Sequence, residues 1–290
     1  MTDVNGLSYT FNNGYVNTIR KSTNCVLRNK MATKVILGAE KIPVPTGFML
    51  PVASKAAIKC FVQDMGYPVC IKPVSGKGGK GVFPSLNSEV SVDKALNFLE
   101  NKTKYILLEE SLTGFDARVI TVAGKVVAAS LRLPANVLGD GTNSIAQLIE
   151  DKVKLRLENK IQRARSLKID HEVIHSLDMQ GLTPESIVEA GVFVKLRNNS
   201  NLSTGGESVN ITDKLSKSTI EAVEKAVSVF PDLVLCGVDV MFEKDPRYES
   251  SDFKVIELNR APGIRGHYYP NEGDSIDVAL LLVDSLFGVK

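Results

Sequence analysis

The chain has almost no net charge: 35 lysines and arginines against 33 aspartates and glutamates leave +2 at pH 7. That balance gives no overall attraction to nucleic acid or membrane, so each basic cluster has to be judged where it stands. No uninterrupted apolar run is long enough to span a bilayer. The first residues, MTDVNGLSYT, lack a charged start followed by an apolar core, so no signal peptide is expected. Cys25, Cys60, Cys70 and Cys236 form no C-x-x-C pair and sit among apolar neighbours. Free, mostly buried thiols in a reducing, cytoplasmic compartment are the expectation. Internal repeats and low-complexity segments are also missing. What remains is ordinary globular composition, 43% hydrophobic and 23% charged, in a length that suits one sizeable domain or a few small subdomains.

The first 29 residues are polar and weakly patterned. NKMATKVILG then reads as a helix closed by Gly38, and SKAAIKCFVQDMG as one capped by Ser54 and stopped by Gly66. PVCIKPV is a strand entering a glycine-rich loop, and DKALNFLENK is a helix. YILLEES reads as a buried strand, and ARVITVAGKVVAASLRLPA as a hairpin turning at Gly124. Residues 143–180 read as mostly helical. VFVKLRNN is a strand, KSTIEAVEKAVSVF an amphipathic helix, LVLCGVDVMFE and FKVIELN strands, and SIDVALLLVDSLFG a last helix. Strands and helices mix without regular β-α-β alternation, which predicts an α+β fold with mainly antiparallel sheets.

The loop IKPVSGKGGKG, Ile71 to Gly81, matches G-x-G-x-x-G at Gly76, Gly78 and Gly81. A dinucleotide loop needs a helix opening at its last glycines, and here a β-like VFPS follows. A Walker A loop needs Lys and then Ser or Thr after its second spaced glycine, where Val82 follows Gly81 instead, and the H-R-D and D-F-G of a protein kinase are absent. Two readings stay open. One is a flap whose N–H groups, with Lys77 or Lys80, close over a triphosphate; the other is a basic surface turn.

Asp239 in CGVDVMF, with Glu257 and Asn259 in VIELN, changes the balance. These segments are apolar strands, where a carboxylate is costly to bury without a cation or partner. Glu257 and Asn259 are two apart and share one strand face. If Asp239 lies on the neighbouring strand, three oxygen ligands converge, a set that suits Mg²⁺ completed by phosphates and water. A strand-end Asp satisfied by backbone N–H groups explains one of these residues better than all three.

At this point the sequence resembles the ATP-grasp carboxylate–amine ligases, and within them the ATP-grasp module of cyanophycin synthetases and bifunctional glutathione synthetases. LRNNSNLSTGGESVNITD carries the resemblance most specifically; RLPANVLGDGTNSIAQLI and IELNRAPGIRGHYYPNEG support it in the same order. It implies two α/β subdomains clasping ATP. Residues 30–108 would form the small one, with the glycine flap, and 109–290 the large one, with metal and substrate sites. Residues 1–29 would be a short extension, in place of most of the N-terminal domain usual in the family. The acid site would then need a second copy, a partner subunit or a substrate that brings its own contacts.

The resemblance also implies roles. Lys30 and Lys72 would hold nucleotide phosphates, together with Gly76, Lys77, Gly78 and Gly79 of the flap. Glu109 would accept from the adenine amino group, with Glu110 beside it, the backbone around Leu112 would read the ring edge, and Asp116 takes the ribose position, usually Glu in relatives. Asp239, Glu257 and Asn259 would bind Mg²⁺, or Mn²⁺ in its place. Arg132, Arg197, Asn201, Ser203, Thr204 and Gly205 would face the transferring phosphoryl group and the substrate carboxylate, where N–H and hydroxyl donors suit an oxyanion. Arg265 and His267 would face the second substrate. The implied chemistry is attack of a carboxylate on the γ-phosphate, then displacement of phosphate from the acyl phosphate by an amine, giving a peptide or isopeptide bond, ADP and phosphate. Its substrates would be an amino acid or short peptide, with no nucleic acid or membrane partner.

An ATP-grasp kinase and a nucleotide-binding regulatory subunit of a larger synthetase are the competing readings. HEVIH, His171 to His175, also matches the H-E-x-x-H of zinc peptidases. His267 is the one other histidine in the chain, and the surrounding LKIDHEVIHSLDMQGLTPESI fits the ATP-grasp relatives. Solvated helix histidines are expected.

Overall fold

The computed structural model describes residues 8–12, 14–76, 80–158, 167–249 and 252–288. Lys77, Gly78 and Gly79 of the glycine loop therefore lie outside the described residues.

A short hairpin, β1 (Phe11–Asn12) and β2 (Tyr15–Val16), leads into helices α1 (Lys21–Arg28) and α2 (Lys30–Ala39). The Asn29 side chain accepts from the N–H groups of Met31 and Ala32 at 3.0 and 3.1 Å, an N-cap that places Lys30 first in the helix. The Lys30 N–H donates to the Val74 carbonyl at 3.0 Å, tying this helix start to the root of the glycine loop. Gly38 does not close α2, contrary to the sequence expectation. The helix turns off at Lys41, in the left-handed region at φ 60, whose N–H returns to the Gly38 carbonyl. An interior glycine costs about 1 kcal/mol, less than the roughly 1.5–3 kcal/mol from burying the neighbouring Leu37.

Next come β3 (Gly47–Pro51), α3 (Lys55–Met65), β4 (Val69–Pro73), β5 (Phe83–Leu86), α4 (Glu89–Leu99) and β6 (Tyr105–Glu110). Their strands form a four-stranded sheet ordered β3-β6-β4-β5, antiparallel throughout. Ser54 occupies the N-cap of α3 without a side-chain cap bond, and Gly66, at φ 77, ends the helix. The apolar faces of α3 and α4 (Ile58, Val62, Val92, Leu96) meet Ile71, Ile106 and Leu108 of the sheet in one core.

A four-residue link leads to the second sheet, built from β7 (Phe115–Val122), β8 (Lys125–Leu133), and later strands of the chain. A lobe with its own core is inserted after β8. It contains β9 (Asn136–Leu138), α5 (Ile145–Glu158), α6 (His171–Asp178) and β10 (Phe193–Lys195) around Ile145, Ile149, Val173 and Leu177. The chain returns as β11 (Glu207–Asn210), α7 (Lys217–Ser228), β12 (Leu235–Phe242), β13 (Phe253–Asn259), α8 (Arg265–Tyr268) and α9 (Val278–Phe287). The five-stranded sheet is ordered β11-β8-β7-β12-β13, again antiparallel. On α7, Thr219, Val223, Ala226 and Val227 are buried at helical spacing, and the Ser216 hydroxyl caps Thr219.

The α+β architecture with antiparallel sheets agrees with the sequence. Packing assigns the segment around Lys30 more finely: Leu27 of α1, Leu37 of α2 and Ile42 just beyond it belong to the core of the five-stranded sheet, with Val223, Val238 and Leu258. The four-stranded sheet's own core begins at Val52. The cysteine expectation fails for half the set, because Cys25 and Cys60 are exposed and only Cys70 and Cys236 are buried. On α3 the core-facing residues are Ile58 and Val62, so Cys60, two from each, is turned outward. Burial pushes the thiols of Cys70 and Cys236 up to about 11 and about 12. Among the described residues no helix is long and apolar enough to cross a membrane.

Candidate active site

One face of the five-stranded sheet concentrates charge. In antiparallel pairs, directly opposed residues share a face. Asp239 on β12 lies opposite Glu257 on β13 and opposite Arg118 on β7. Asn259 is two residues beyond Glu257, and its Nδ2 donates to Asp239 Oδ2 at 3.2 Å. The three oxygen-bearing side chains therefore converge. Arg118 holds Asp239 with Nε on Oδ1 and its second terminal nitrogen 3.1 Å from Oδ2. Arg132 on β8 reaches Asp239 at 3.3 Å and also pairs with Asp116. Burial alone would raise the Asp239 carboxyl, but Arg118 and Arg132 hold it below its ordinary value. Asp116 goes the other way: burial, reinforced by Asp239, outweighs Arg132 and raises it.

The helix start at Lys30 completes this edge, with Lys30 Nζ 3.1 Å from Glu257 Oε1. On the four-stranded sheet, Glu109 is buried between Lys72 of β4 and Lys34 of α2, the latter at 2.9 Å. Gly47 makes the room, since a Cβ there would lie 2.7 Å from that of Glu109. Glu110 links the two sheets, accepting from Lys254 Nζ at 2.6 Å and from the Thr46 N–H at 2.7 Å. Leu112 is half-buried in the link between sheets, and Gly76 is exposed at the loop edge.

The Asn201–Gly205 segment is a 3₁₀ turn, Leu202–Thr204, ended by Gly205 at φ 97. The Gly206 N–H donates to the Asn201 carbonyl at 3.0 Å. A Cβ on Gly206 would stand 2.8 Å from that carbonyl, so glycine is required for the turn to close. From below, Arg156 of α5 donates to the Gly205 carbonyl at 3.0 Å and to Glu207 at 3.1 Å. Ser203 is exposed, and Thr204 bonds the Asn199 side chain at 3.0 Å. A cavity of about 180 Å³ lies between this turn and the sheet, lined by Arg118, Ser130, Arg132, Asn201, Gly266 and His267 among others.

The sequence expectations are brought together unevenly. Lys30, Arg132, Asp116, Asp239, Glu257 and Asn259 form one charged surface, and Asn201 and His267 face the cavity beside it. Lys72 and Glu109 form a second cluster with Lys34. Arg197 is buried and paired with Asp170 and Glu172, its Nε having no partner. Arg265 is exposed and does not line the cavity. In HEVIH both histidines are exposed, and Glu172 is spent on Arg197. Among the described residues no group of three or more His, Cys, Asp or Glu could hold a metal. Sequence reasoning missed Arg118, Lys34, Ser130 and Arg156. Arg118 had a signal, since it alternates with Asp116 in the apolar strand FDARVITV and so shares its face.

The donor set fits a hard divalent cation: two carboxylates and an amide on one face, with Lys30, Arg118 and Arg132 close enough to meet the phosphate oxygens that would complete its shell.

Burial, then Arg118 and Arg132, lower His267 from 6.5 to about 4. The unfolded chain takes up this proton near 6.5 while the native imidazole stays neutral until about 4, so native stability falls as pH drops through that interval. At 1.36 kcal/mol per pH unit the loss totals about 3 kcal/mol. Urea unfolding of the protein and of His267→Gln is expected to show this component in the former alone. Parallel pH dependence of the two would show that His267 is not held neutral.

Two antiparallel sheets with a lysine from each side and a carboxylate–amide edge between them make the ATP-grasp fold, and this chain has that fold. Residues 41–183 match the family described as prokaryotic glutathione synthetase, ATP-grasp domain. More particularly, the chain is similar to the ATP-grasp module of cyanophycin synthetases and bifunctional glutathione synthetases. It is 33% identical over 265 residues to cyanophycin synthetase of Crocosphaera subtropica, covering 89% of this chain and 30% of that one. It is also 33% identical over 270 residues to the glutathione biosynthesis bifunctional protein of Clostridium perfringens, covering 91% and 34%. The crystal structure of a bifunctional glutathione synthetase from Pasteurella multocida superposes with a TM-score of 0.68 at 26% identity, covering 96% of this chain and 38% of that one. The chain thus spans about a third of the length of these relatives.

Proposed function

We propose that the chain is the catalytic module of an ATP-dependent ligase joining a carboxylate to an amine through an acyl phosphate. The observation that carries this reading is the convergence of Asp239, Glu257 and Asn259 beside Lys30, Arg118 and Arg132, next to a cavity roofed by the Asn201–Gly205 turn.

Asp239, Glu257 and Asn259 hold a divalent cation, Mg²⁺ by preference with Mn²⁺ a substitute. Bound there, it would neutralise charge on the transferring phosphoryl group. Lys30 and Lys72 fix the phosphates, and Glu109 with the backbone around Leu112 faces the adenine. Arg118 and Arg132, already paired with carboxylates from the sheet side, present fixed positive charge to the cavity and need no reorganisation when a phosphoryl group arrives. The turn at Asn201–Gly205 adds N–H and hydroxyl donors, held in place by Arg156. The glycine flap keeps water from the acyl phosphate.

The test is phosphate release from Mg-ATP with pooled amino acids and short peptides, the products read by mass. Substrate-dependent phosphate with a product equal to two reactants minus water supports the ligase. A phosphorylated product makes the protein a kinase. Tight ATP binding without turnover makes it a regulatory module.

A further inference from the structure

The His267 imidazole is unpartnered at the centre of the site. Its backbone is fixed on both sides, with the N–H donating to Ile264 at 3.0 Å and the carbonyl accepting from Ile276 at 2.9 Å. The residue is 5% exposed. Buried polar side chains nearly always find a hydrogen-bond partner, yet among the described residues this ring has none, and it lines the cavity with Arg118 and Arg132.

The charged groups around it are arranged unequally. β7 contributes Asp116 and Arg118, β8 contributes Arg132, and β12 contributes Asp239. Both carboxylates are spent on the guanidinium groups from the sheet side, and both arginines line the cavity. Glu207 of β11 is bound to Lys152 and Arg156, and Arg265, on the same helix as His267, is exposed. The cavity is therefore an anion site with a polar ring in its wall.

We propose that His267 is the base of the second half-reaction, accepting the proton that the amine co-substrate sheds as it adds to an acyl phosphate held between Arg118 and Arg132. This rests on the ligase reading above. The amine lone pair forms the C–N bond while the carbonyl π pair moves to oxygen. The cationic nitrogen of that adduct passes one proton to the imidazole. The oxyanion then re-forms the carbonyl, the C–O bond to phosphate breaks, and the pair leaves with phosphate, which takes the proton back from His267. No oxidant or further reactant is needed.

The surroundings give this step its timing. Burial and the two arginines keep the ring neutral, so it neither carries a proton nor adds a third positive charge. An acyl phosphate brings negative charge beside the arginines. An opposite charge within a few ångströms moves such a midpoint by about 1–3 pH units, here upward. The base thus strengthens once the acyl phosphate exists, when an amine has something to attack.

The chain has three histidines, and His171 and His175 are exposed, so NMR of ¹⁵N-labelled histidine reads His267 against two internal references. Expected without ligand is one ring titrating near 4. Saturating inorganic phosphate should raise that midpoint by about one pH unit or more and leave the other two unmoved. Failure of phosphate to bind, or binding without movement of this ring, overturns the proposal. A second arm uses hydroxylamine, an amine already largely neutral near pH 7. In His267→Gln the ratio of amide to hydroxamate product should fall at least tenfold, by about 1.4 kcal/mol, because the hydroxylamine adduct is the more acidic and can lose its proton to water, whereas the alkylammonium adduct needs the base. An unchanged ratio sinks the proposal while leaving the ligase reading intact. Wild type that makes neither product from any acid sinks the ligase reading itself.

Discussion

Asp239→Asn is expected to cut metal-dependent phosphate release by about 100- to 1,000-fold, because several kcal/mol of charge stabilisation on the transferring phosphoryl group depend on a correctly held cation. Asparagine keeps the shape and one oxygen but removes the charge on which Arg118, Arg132 and Asn259 converge. Two opposite consequences should separate. Metal-dependent turnover falls, while metal-free ADP binding holds or tightens, because Arg118 and Arg132 are released toward the phosphates. Calorimetry of ADP with and without Mg²⁺, beside the turnover assay, reads both. If the variant turns over within threefold of the wild type, Asp239 does not hold the metal. Thermal unfolding provides the control, since leaving two part-buried guanidinium groups short of a carboxylate also lowers stability.

The contrast between Asp239 and Arg118 shows what a sequence can reveal. A carboxylate inside CGVDVMF stands out because burial there is expensive without a cation. Arg118 is easily read as a long side chain reaching solvent. Its partner lies 121 positions away, and strand periodicity gives the face a residue occupies, not the strand opposite. Lys34 was hidden in the same way. One turn after Lys30, in an ordinary amphipathic helix, nothing in the local pattern indicates that Glu109 of the other sheet reaches it. Arg197 is the opposite case. The resemblance implied contact with the transferring phosphoryl group, and in the structure its guanidinium pairs with Asp170 and Glu172 at the start of α6. The antiparallel architecture was legible because strands and helices mix along the chain without the regular β-α-β alternation that a parallel sheet requires. The docking of α2 on the five-stranded sheet was not, since Leu27, Leu37 and Ile42 would suit either core.

The Lys34–Glu109–Lys72 cluster carries the largest expected effect on stability. Glu109→Gln keeps the side-chain shape but leaves two buried lysines facing each other without a carboxylate. Removing one partner of a buried ion pair costs about 3–5 kcal/mol, and repulsion between Lys34 and Lys72 adds to it. The pH dependence has a definite sign. Burial lowers Lys34 below its ordinary 10.5, against the opposing pull of Glu109. Below the lowered folded value the lysine is charged in both folded and unfolded chains, and the fold bears the cost. As pH rises through the lowered folded value toward 10.5, the folded chain sheds this proton first and the cost disappears. Without Glu109 the folded value drops further, so the variant's deficit should be greatest at neutral pH and shrink on approach to 10.5. Urea unfolding of both proteins across that range measures it. A deficit that stays constant with pH would mean that Glu109 acts through packing alone. A deficit that closes would identify two buried lysine charges, kept in place by one carboxylate, as its source.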